Sequence, residues 1–295
     1  MELLRHKVGD RPVYVAPLGD IQWNGTEHDL WMTGLRRYIQ RAVDMDAYFV
    51  GMGDYVDFAS PSNRKGLGAA HKYDSAEKAL DSTAHRLVDE VYEILKPTKG
   101  RWLCMLEGHH FWEFKTGGTT DTRLCEMLEA PFGGKSVVIQ MGFTGPHGGG
   151  AYNIWATHGV GGASESALLL KIKRMSQYWE GINLFLWGHA TKKLAVPIPR
   201  IRPDFSTKVP RLNHRDAMLV GTGGWMKAFV EGHQHKGRAA GTYVEESMMD
   251  PVSLGAPLVR VVPRVSQQRL AEYGRAASGG NRAASQWDPQ TEVMV

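Results

Sequence analysis

The stretch AYFVGMGDYVD, residues 47–57, decides how the chain folds. A short apolar run closed by Gly51 and Gly53 reads as a buried strand, which leaves Asp54 in the turn just past its carboxyl end. Open α/β sheets bind their ligands at that end of their strands. The same grammar recurs along the chain. Val13–Leu18 is followed by Gly19 and Asp20, and Trp102–Leu106 by Gly108, His109 and His110. Ile154–Thr157 is followed by His158 and Gly159, and Leu184–Trp187 by Gly188 and His189. Five apolar runs thus each end in a side chain able to bind a metal ion.

Helical periodicity fills the intervals between these runs. Leu30, Leu35, Tyr38, Ile39 and Ala42 share one face, as do Leu80, Ala84, Leu87, Val88, Val91 and Leu95, a series that Pro97 stops. Leu168, Leu169, Ile172 and Met175 mark a further helix, and a turn at 116–122 feeds another through Leu128. Residues 58–73, rich in Ser, Pro, Asn and Gly, read as a loop. Val137–Gln140 and Tyr152–Thr157 read as a hairpin around the glycine-rich turn TGPHGGGA at 144–151. Beyond His189 the pattern shortens to strand-like pieces at Ala217–Gly221, Thr242–Glu245 and Leu258–Val262. The expectation is an α/β domain over 1–265, with a two-sheet core and helices outside. From about Ser266 the composition turns polar, so 266–295 is expected to be a mobile tail.

Composition narrows the class. With 295 residues, 42% of them hydrophobic and 22% charged, the chain has the make-up of an ordinary globular protein with a sizeable core. A net charge of +4 suits a polyanionic substrate without requiring one. The two cysteines, Cys104 and Cys125, fall in apolar surroundings and make no disulfide framework, so a cytoplasmic setting is expected. The opening MELLRHKVGDRP has no signal-like apolar core, and no segment approaches the roughly 18 apolar residues of a membrane span. Neither export nor a membrane partner is expected.

Taken in order, the blocks at the run ends resemble the calcineurin-like metallophosphoesterases, in particular divergent forms found in phages and prophages. The family pattern D-x-H, G-D-x-x-D, G-N-H-[DE], H-G and G-H-x-H has these counterparts here: Asp20-Ile21-Gln22, Gly53-Asp54-Tyr55-Val56-Asp57, Gly108-His109-His110-Phe111, His158-Gly159 and Gly188-His189-Ala190-Thr191. The likeness spans roughly residues 13–192. It implies a four-layer α/β/β/α sandwich of two mixed sheets flanked by helices, and a phosphoesterase using one or two divalent metal ions. Mn²⁺ is the family default, with Zn²⁺, Fe²⁺ or Ni²⁺ as alternatives. Under this resemblance Asp54 bridges the metals, Asp20 and Gln22 serve the first, and His109, His158 and His189 serve the second with Asp54. His110 takes the place of the histidine that assists the leaving group.

Four positions depart from the pattern: Gln22, His109 and Phe111 replace His, Asn and an acidic residue, and Thr191 replaces the last His. His147, His233 and His235 are candidates to fill the weakened first site. Asn63 and Arg64, in the segment after Asp54, are candidate phosphate contacts, since a guanidinium can grip a phosphate through two hydrogen bonds. Lys192, Lys193, Arg200 and Arg202 could line a polyanion path. Asp57 reads equally as a capping residue and as a partner of the site. The expected substrates are phosphodiesters of DNA, RNA or nucleotides. Two alternatives remain open: a phosphomonoesterase or protein phosphatase on the same site, and a noncatalytic member that binds nucleic acid or another partner.

Overall fold

A computed structural model describes residues 1–69, 73–144, 150–161, 164–205, 210–263, 265–268, 284–287 and 289–295. In chain order its elements are β1 (Glu2–Val8), β2 (Val13–Leu18), α1 (Met32–Asp44), β3 (Tyr48–Gly51), α2 (Pro61–Ala69), α3 (Asp74–Leu95), β4 (Trp102–Met105), α4 (Thr120–Leu128), β5 (Ser136–Phe143) and β6 (Gly150–Thr157). There follow α5 (Glu165–Ser176), β7 (Leu184–Trp187), β8 (Lys193–Asp204), β9 (Arg211–Thr222), β10 (Gln234–His235), β11 (Arg238–Ala239), α6 (Tyr243–Glu246), β12 (Leu258–Val262), β13 (Val265–Gln268), β14 (Ala284–Trp287) and β15 (Gln290–Met294). Two mixed sheets dominate, one ordered β1-β5-β6-β7-β9-β8 and the other β15-β12-β2-β3-β4. Strands β2, β3 and β4 run parallel, as do β6, β7 and β9.

Alternation along the central strands places the core. Leu184 and Leu186 of β7 join Ile154, Ile139, Val50, Leu103 and Val259 in one buried cluster, whose members come from both sheets. Phe185 and Trp187 point the other way, onto Leu168 and Ile172 of α5. Likewise Phe49 of β3 joins the cluster that includes Leu35 and Ile39 of α1 and Val88 and Val91 of α3. The short apolar runs are therefore buried on both faces, as parallel strands between layers require. Helices, sheet, sheet and helix stack in that order. Leu186 is fully buried between the two sheets. Leu186→Ala is expected to cost about 2–5 kcal/mol, read as a lower denaturant midpoint with an unchanged slope.

Several local expectations change. Residues 58–73 are not all loop: α2 starts at Pro61, and Ser60 caps it by accepting from the Asn63 amide (3.2 Å) and, through its carbonyl, from the Arg64 amide (2.8 Å). The two glycines inside this helix hide it from periodicity. Thr242–Glu245 is not a strand; Thr242 caps the short helix α6 by accepting from the Glu245 amide at 3.2 Å. Lys193, Arg200 and Arg202 of the basic stretch after His189 lie on the twelve-residue strand β8, at the edge of its sheet. Its prolines at 197, 199 and 203 are tolerated at an edge, where no further strand needs their missing amides. β1 is a further edge strand without a run-end signature. The expected mobile tail carries β15, which pairs antiparallel with β12 from Leu258↔Met294 to Val262↔Gln290, so its last residues belong to the sheet. No helix among the described residues is long and apolar enough to cross a membrane.

Candidate metal centre

The loops that leave β2, β3, β4, β6 and β7 at their carboxyl ends converge. Backbone bonds tie them: the Asp20 amide donates to the Gly53 carbonyl (2.9 Å), the Gln22 amide to the Asp54 carbonyl (2.9 Å) and the Gly188 amide to the Thr157 carbonyl (3.1 Å). Close approach explains the glycines. A Cβ on Gly108 would lie 2.1 Å from both the amide nitrogen and Oδ1 of Asp54, and one on Gly53 would lie 2.7 Å from His158 Nδ1. Asp20, Gln22, Asp54, His189 and Thr191 all adopt the left-handed backbone region, with φ from 48° to 62°. That conformation is rare outside glycine and a genuine outlier for β-branched Thr191. Strain of this kind gathers where surrounding structure holds a site in shape.

Asp54, His109, His158 and His189 each offer one ligand atom, and the four atoms lie within 4.8 Å of one another. Asp54 is almost wholly buried, and its two oxygens have different jobs. Oδ1 accepts from the amides of His109 (2.5 Å) and His110 (3.0 Å). Oδ2 faces His158 Nε2 at 3.2 Å and His189 Nδ1 at 4.0 Å. His158 Nδ1 donates to the Met52 carbonyl at 2.6 Å, which fixes the ring and directs the lone pair of a neutral imidazole at Asp54. His109 Nδ1 and His189 Nδ1 stand 3.1 Å apart. Asp54 Oδ2 and His158 Nε2 are buried facing each other, and Asp20 Oδ1 is buried with no hydrogen-bond partner among the described residues.

Two acceptors at 3.2 Å need a cation between them. A proton serves in the metal-free protein, where the Asp54 carboxylate raises His158 despite the opposing effect of burial. The same pairing, with the charge of His158, holds Asp54 below the usual carboxylate range although burial opposes it. His109 is pushed down to about 4, first by burial and then by the charges of His158 and His189. His189 is lowered by burial and then by His158. Neutral imidazoles beside an ionised carboxylate are the form that binds a metal, which His109 and His189 already have and which His158 reaches by giving up its proton as the ion binds. The residues therefore fit a divalent ion, and three nitrogens with one oxygen suit the borderline transition metals better than Mg²⁺.

Asp20 lies alongside. Its Oδ2 accepts from the His189 amide at 3.0 Å, and burial pushes its carboxyl up to about 7 even with His158 pulling the other way. Gln22 is half-buried in the same turn. A Cβ on Gly224 would meet Thr191 Cβ at 3.0 Å and Asp20 Cβ at 3.5 Å, so positions 20, 191 and 224 are neighbours. His110 stands apart from the four-atom group and pairs through Nδ1 with Asp57 Oδ1 at 2.7 Å, which raises its pKa.

Other expectations resolve differently. Arg64 spends Nη1 on the carbonyls of Ala59 (3.0 Å), His109 (2.8 Å) and Phe111 (2.8 Å), with its guanidinium 3.8 Å from the centre of the Phe111 ring. Through these bonds it holds the His109–Phe111 loop. Asn63 is exposed on α2. His233 lies with His28 and Asp29, away from the Asp54 group. His147 and the side chain of His235 fall outside the described residues.

Two supporting roles at the site escaped the sequence reading. Lys135 donates to the Gly108 carbonyl at 3.0 Å and, with His109, His158, Trp155, Met175 and Trp187, lines a cavity of about 450 Å³ beside the group. Asp121, buried at the start of α4, accepts from the Gly108 amide at 2.9 Å and so supports the loop that carries His109. Burial pushes Asp121 up to about 7 from the usual 3.8. Its neutral form suits the fold, so this contribution to stability is whole at low pH and is lost as pH rises from about 4 through about 7. Asp121→Asn is expected to remove that loss, so the metal-free variant gains roughly 2–4 kcal/mol on wild type between pH 4 and pH 8 in urea titrations. Comparison with models of known families, with curated proteins and with solved structures finds no match.

Proposed function

We propose that this protein is a metal-dependent phosphoesterase that cleaves phosphodiesters, of nucleic acid or nucleotides, at the Asp54 group. The observation that carries the reading is the buried Asp54–His158 pair with two further imidazoles converging on it, and the Asp20 Oδ1 beside it that has no partner among the described residues. Uncompensated burial of such atoms is costly, and a cation removes the cost. The layer order, with two mixed sheets and helices on either side, is compatible with the calcineurin-like family that the motifs resemble.

Asp54, His109, His158 and His189 would hold the principal ion, with Asp20 and Gln22 beside them for a second. When bound, such ions activate water at neutral pH and neutralise a phosphate's charge. The chain's own residues supply the rest. Asp54 is aimed by the amides of His109 and His110. His110, its Nδ1 held by Asp57, has Nε2 available to give a proton to a leaving oxygen. Lys135, which also pairs with Glu107 at 2.6 Å, places positive charge at the rim of a cavity walled by Trp155 and Trp187. Mn²⁺, Zn²⁺, Fe²⁺ and Ni²⁺ all suit this donor set.

Protein reconstituted with Mn²⁺ is expected to turn over bis-p-nitrophenyl phosphate at least about tenfold faster than p-nitrophenyl phosphate, a preference equivalent to about 1.4 kcal/mol. Preference for the monoester would move the assignment to a phosphomonoesterase or protein phosphatase on the same residues. A noncatalytic reading is favoured by one specific feature: Gln22 and Thr191 stand beside Asp20, where the family pattern has histidines. Binding of single-stranded DNA with no hydrolysis under any of the four metals would establish that alternative.

A further inference from the structure

We propose that His28, Asp29 and His233 form a second, separate site for a divalent transition metal, with Zn²⁺ as its probe. Their ligand atoms form a group distinct from the Asp54 cluster. Asp29 Oδ1 lies 3.0 Å from His28 Nδ1 and 3.1 Å from His233 Nε2. The two imidazole rings sit 5.1 Å apart, tilted by 56°.

The chemistry of His233 points to a cation. Its Nδ1 is 3.1 Å from the Ala240 carbonyl oxygen, which only accepts, so Nδ1 carries the proton. A neutral ring then turns the Nε2 lone pair toward Asp29 Oδ1, and two acceptors face each other. This is the arrangement found at His158 and Asp54, with a carbonyl fixing one ring nitrogen and a carboxylate opposite the other. An extra proton would make a plain ion pair; a metal ion fills the same place and also recruits His28.

Both segments are held in position before any ion binds. The Lys227 amide donates to the Asp29 carbonyl (2.8 Å), and Lys227 Nζ to the His28 carbonyl (2.9 Å). The His233 amide donates to Val230 (3.2 Å), and the Ala240 amide to the His233 carbonyl (3.1 Å). Donors around a tetrahedral ion with bonds of about 2.0–2.2 Å stand about 3.4 Å apart, so the two nitrogen–oxygen separations need to open by only about 0.3–0.4 Å. His28 is half exposed, whereas the His233 side chain is 12% exposed. Coordination positions are therefore left toward a cavity of about 810 Å³ that Arg238, Tyr243 and Glu246 also line. Two imidazoles, one carboxylate and open positions are a set that binds Zn²⁺, Ni²⁺ or Co²⁺ rather than Ca²⁺ or Mg²⁺. The ion would pin the segment between β9 and β10 to the loop that enters α1.

The test is Zn²⁺ stoichiometry, by elemental analysis after dialysis and by calorimetric titration, on the full chain. His28→Ala/His233→Ala and, separately, the nearly isosteric Asp29→Asn are expected to bind one Zn²⁺ fewer than wild type. His158→Ala is expected to keep that ion, and Co²⁺ added to it should give visible bands that vanish when His233→Ala is combined with it. Circular dichroism monitors folding, and Asp29→Asn covers the case in which the double variant misfolds. Zn²⁺ counts equal to wild type in both variants would overturn the site. The result does not depend on phosphoesterase activity: loss of one Zn²⁺ supports the second site even if no phosphoester is ever turned over.

Discussion

Asp54→Asn is expected to abolish metal binding at the principal group and to lower diesterase turnover by about 10³-fold or more, the scale on which a preorganised charge-stabilising group acts. The substitution keeps the shape of the side chain. Its oxygen can still accept from the His109 and His110 amides, which hold Oδ1 at 2.5 and 3.0 Å. Its amide nitrogen would then donate to His158 Nε2, which faces Asp54 Oδ2 at 3.2 Å. The metal-free variant should therefore melt no lower than metal-free wild type. What it should lose is the rise in Tm that wild type shows when Mn²⁺ or Zn²⁺ is added, because only a ligand bound to the native state stabilises it. Retained turnover would remove Asp54 from the centre of the mechanism.

His110→Gln separates proton delivery from metal binding. His110 is not among the four clustered ligand atoms, so metal affinity should stay within about twofold, while general-acid catalysis of this kind contributes about 10²–10⁴-fold. The loss should depend on the leaving group. Alkoxide leaving groups, such as the ribose oxygens of nucleic acid, need a proton and should show the full effect. Bis-p-nitrophenyl phosphate releases a stabilised phenolate and should show little. A uniform loss across both substrates would give His110 an electrostatic role instead. Asp57→Asn should follow the same pattern with a smaller effect, since Asp57 acts by holding the His110 ring at 2.7 Å.

The positions of Asp54, His158 and His189 were legible because a parallel strand buried on both faces is a short apolar run, and the residue after it has one place to go. The layered α/β architecture followed from the same runs and from helical periodicity between them. What periodicity could not show was structure without an apolar stripe: α2, whose helix rests on the Ser60 cap and Pro61, and β8, whose prolines are admissible only because it is an edge. β15 was hidden for a related reason, since a polar strand at a sheet edge resembles a tail. The support that Asp121 gives the Gly108 loop left no signal in the sequence, because it comes from burial, a tertiary fact. Arg64 shows the converse. A basic residue near the site suggested a phosphate clamp, yet backbone carbonyls claim one of its nitrogens. The left-handed turns at Asp20 and Gln22 were equally invisible, because their cost is offset by bonds to the distant loop after β3.

The most direct measurement is an anomalous difference map from crystals grown with Mn²⁺. A peak is predicted about 2.0–2.3 Å from Asp54 Oδ2 and His158 Nε2 and within reach of His109 and His189, the spacing expected of carboxylate and imidazole ligands. Full-occupancy Mn²⁺ elsewhere, with His158 protonated and hydrogen-bonded to Asp54, would contradict it.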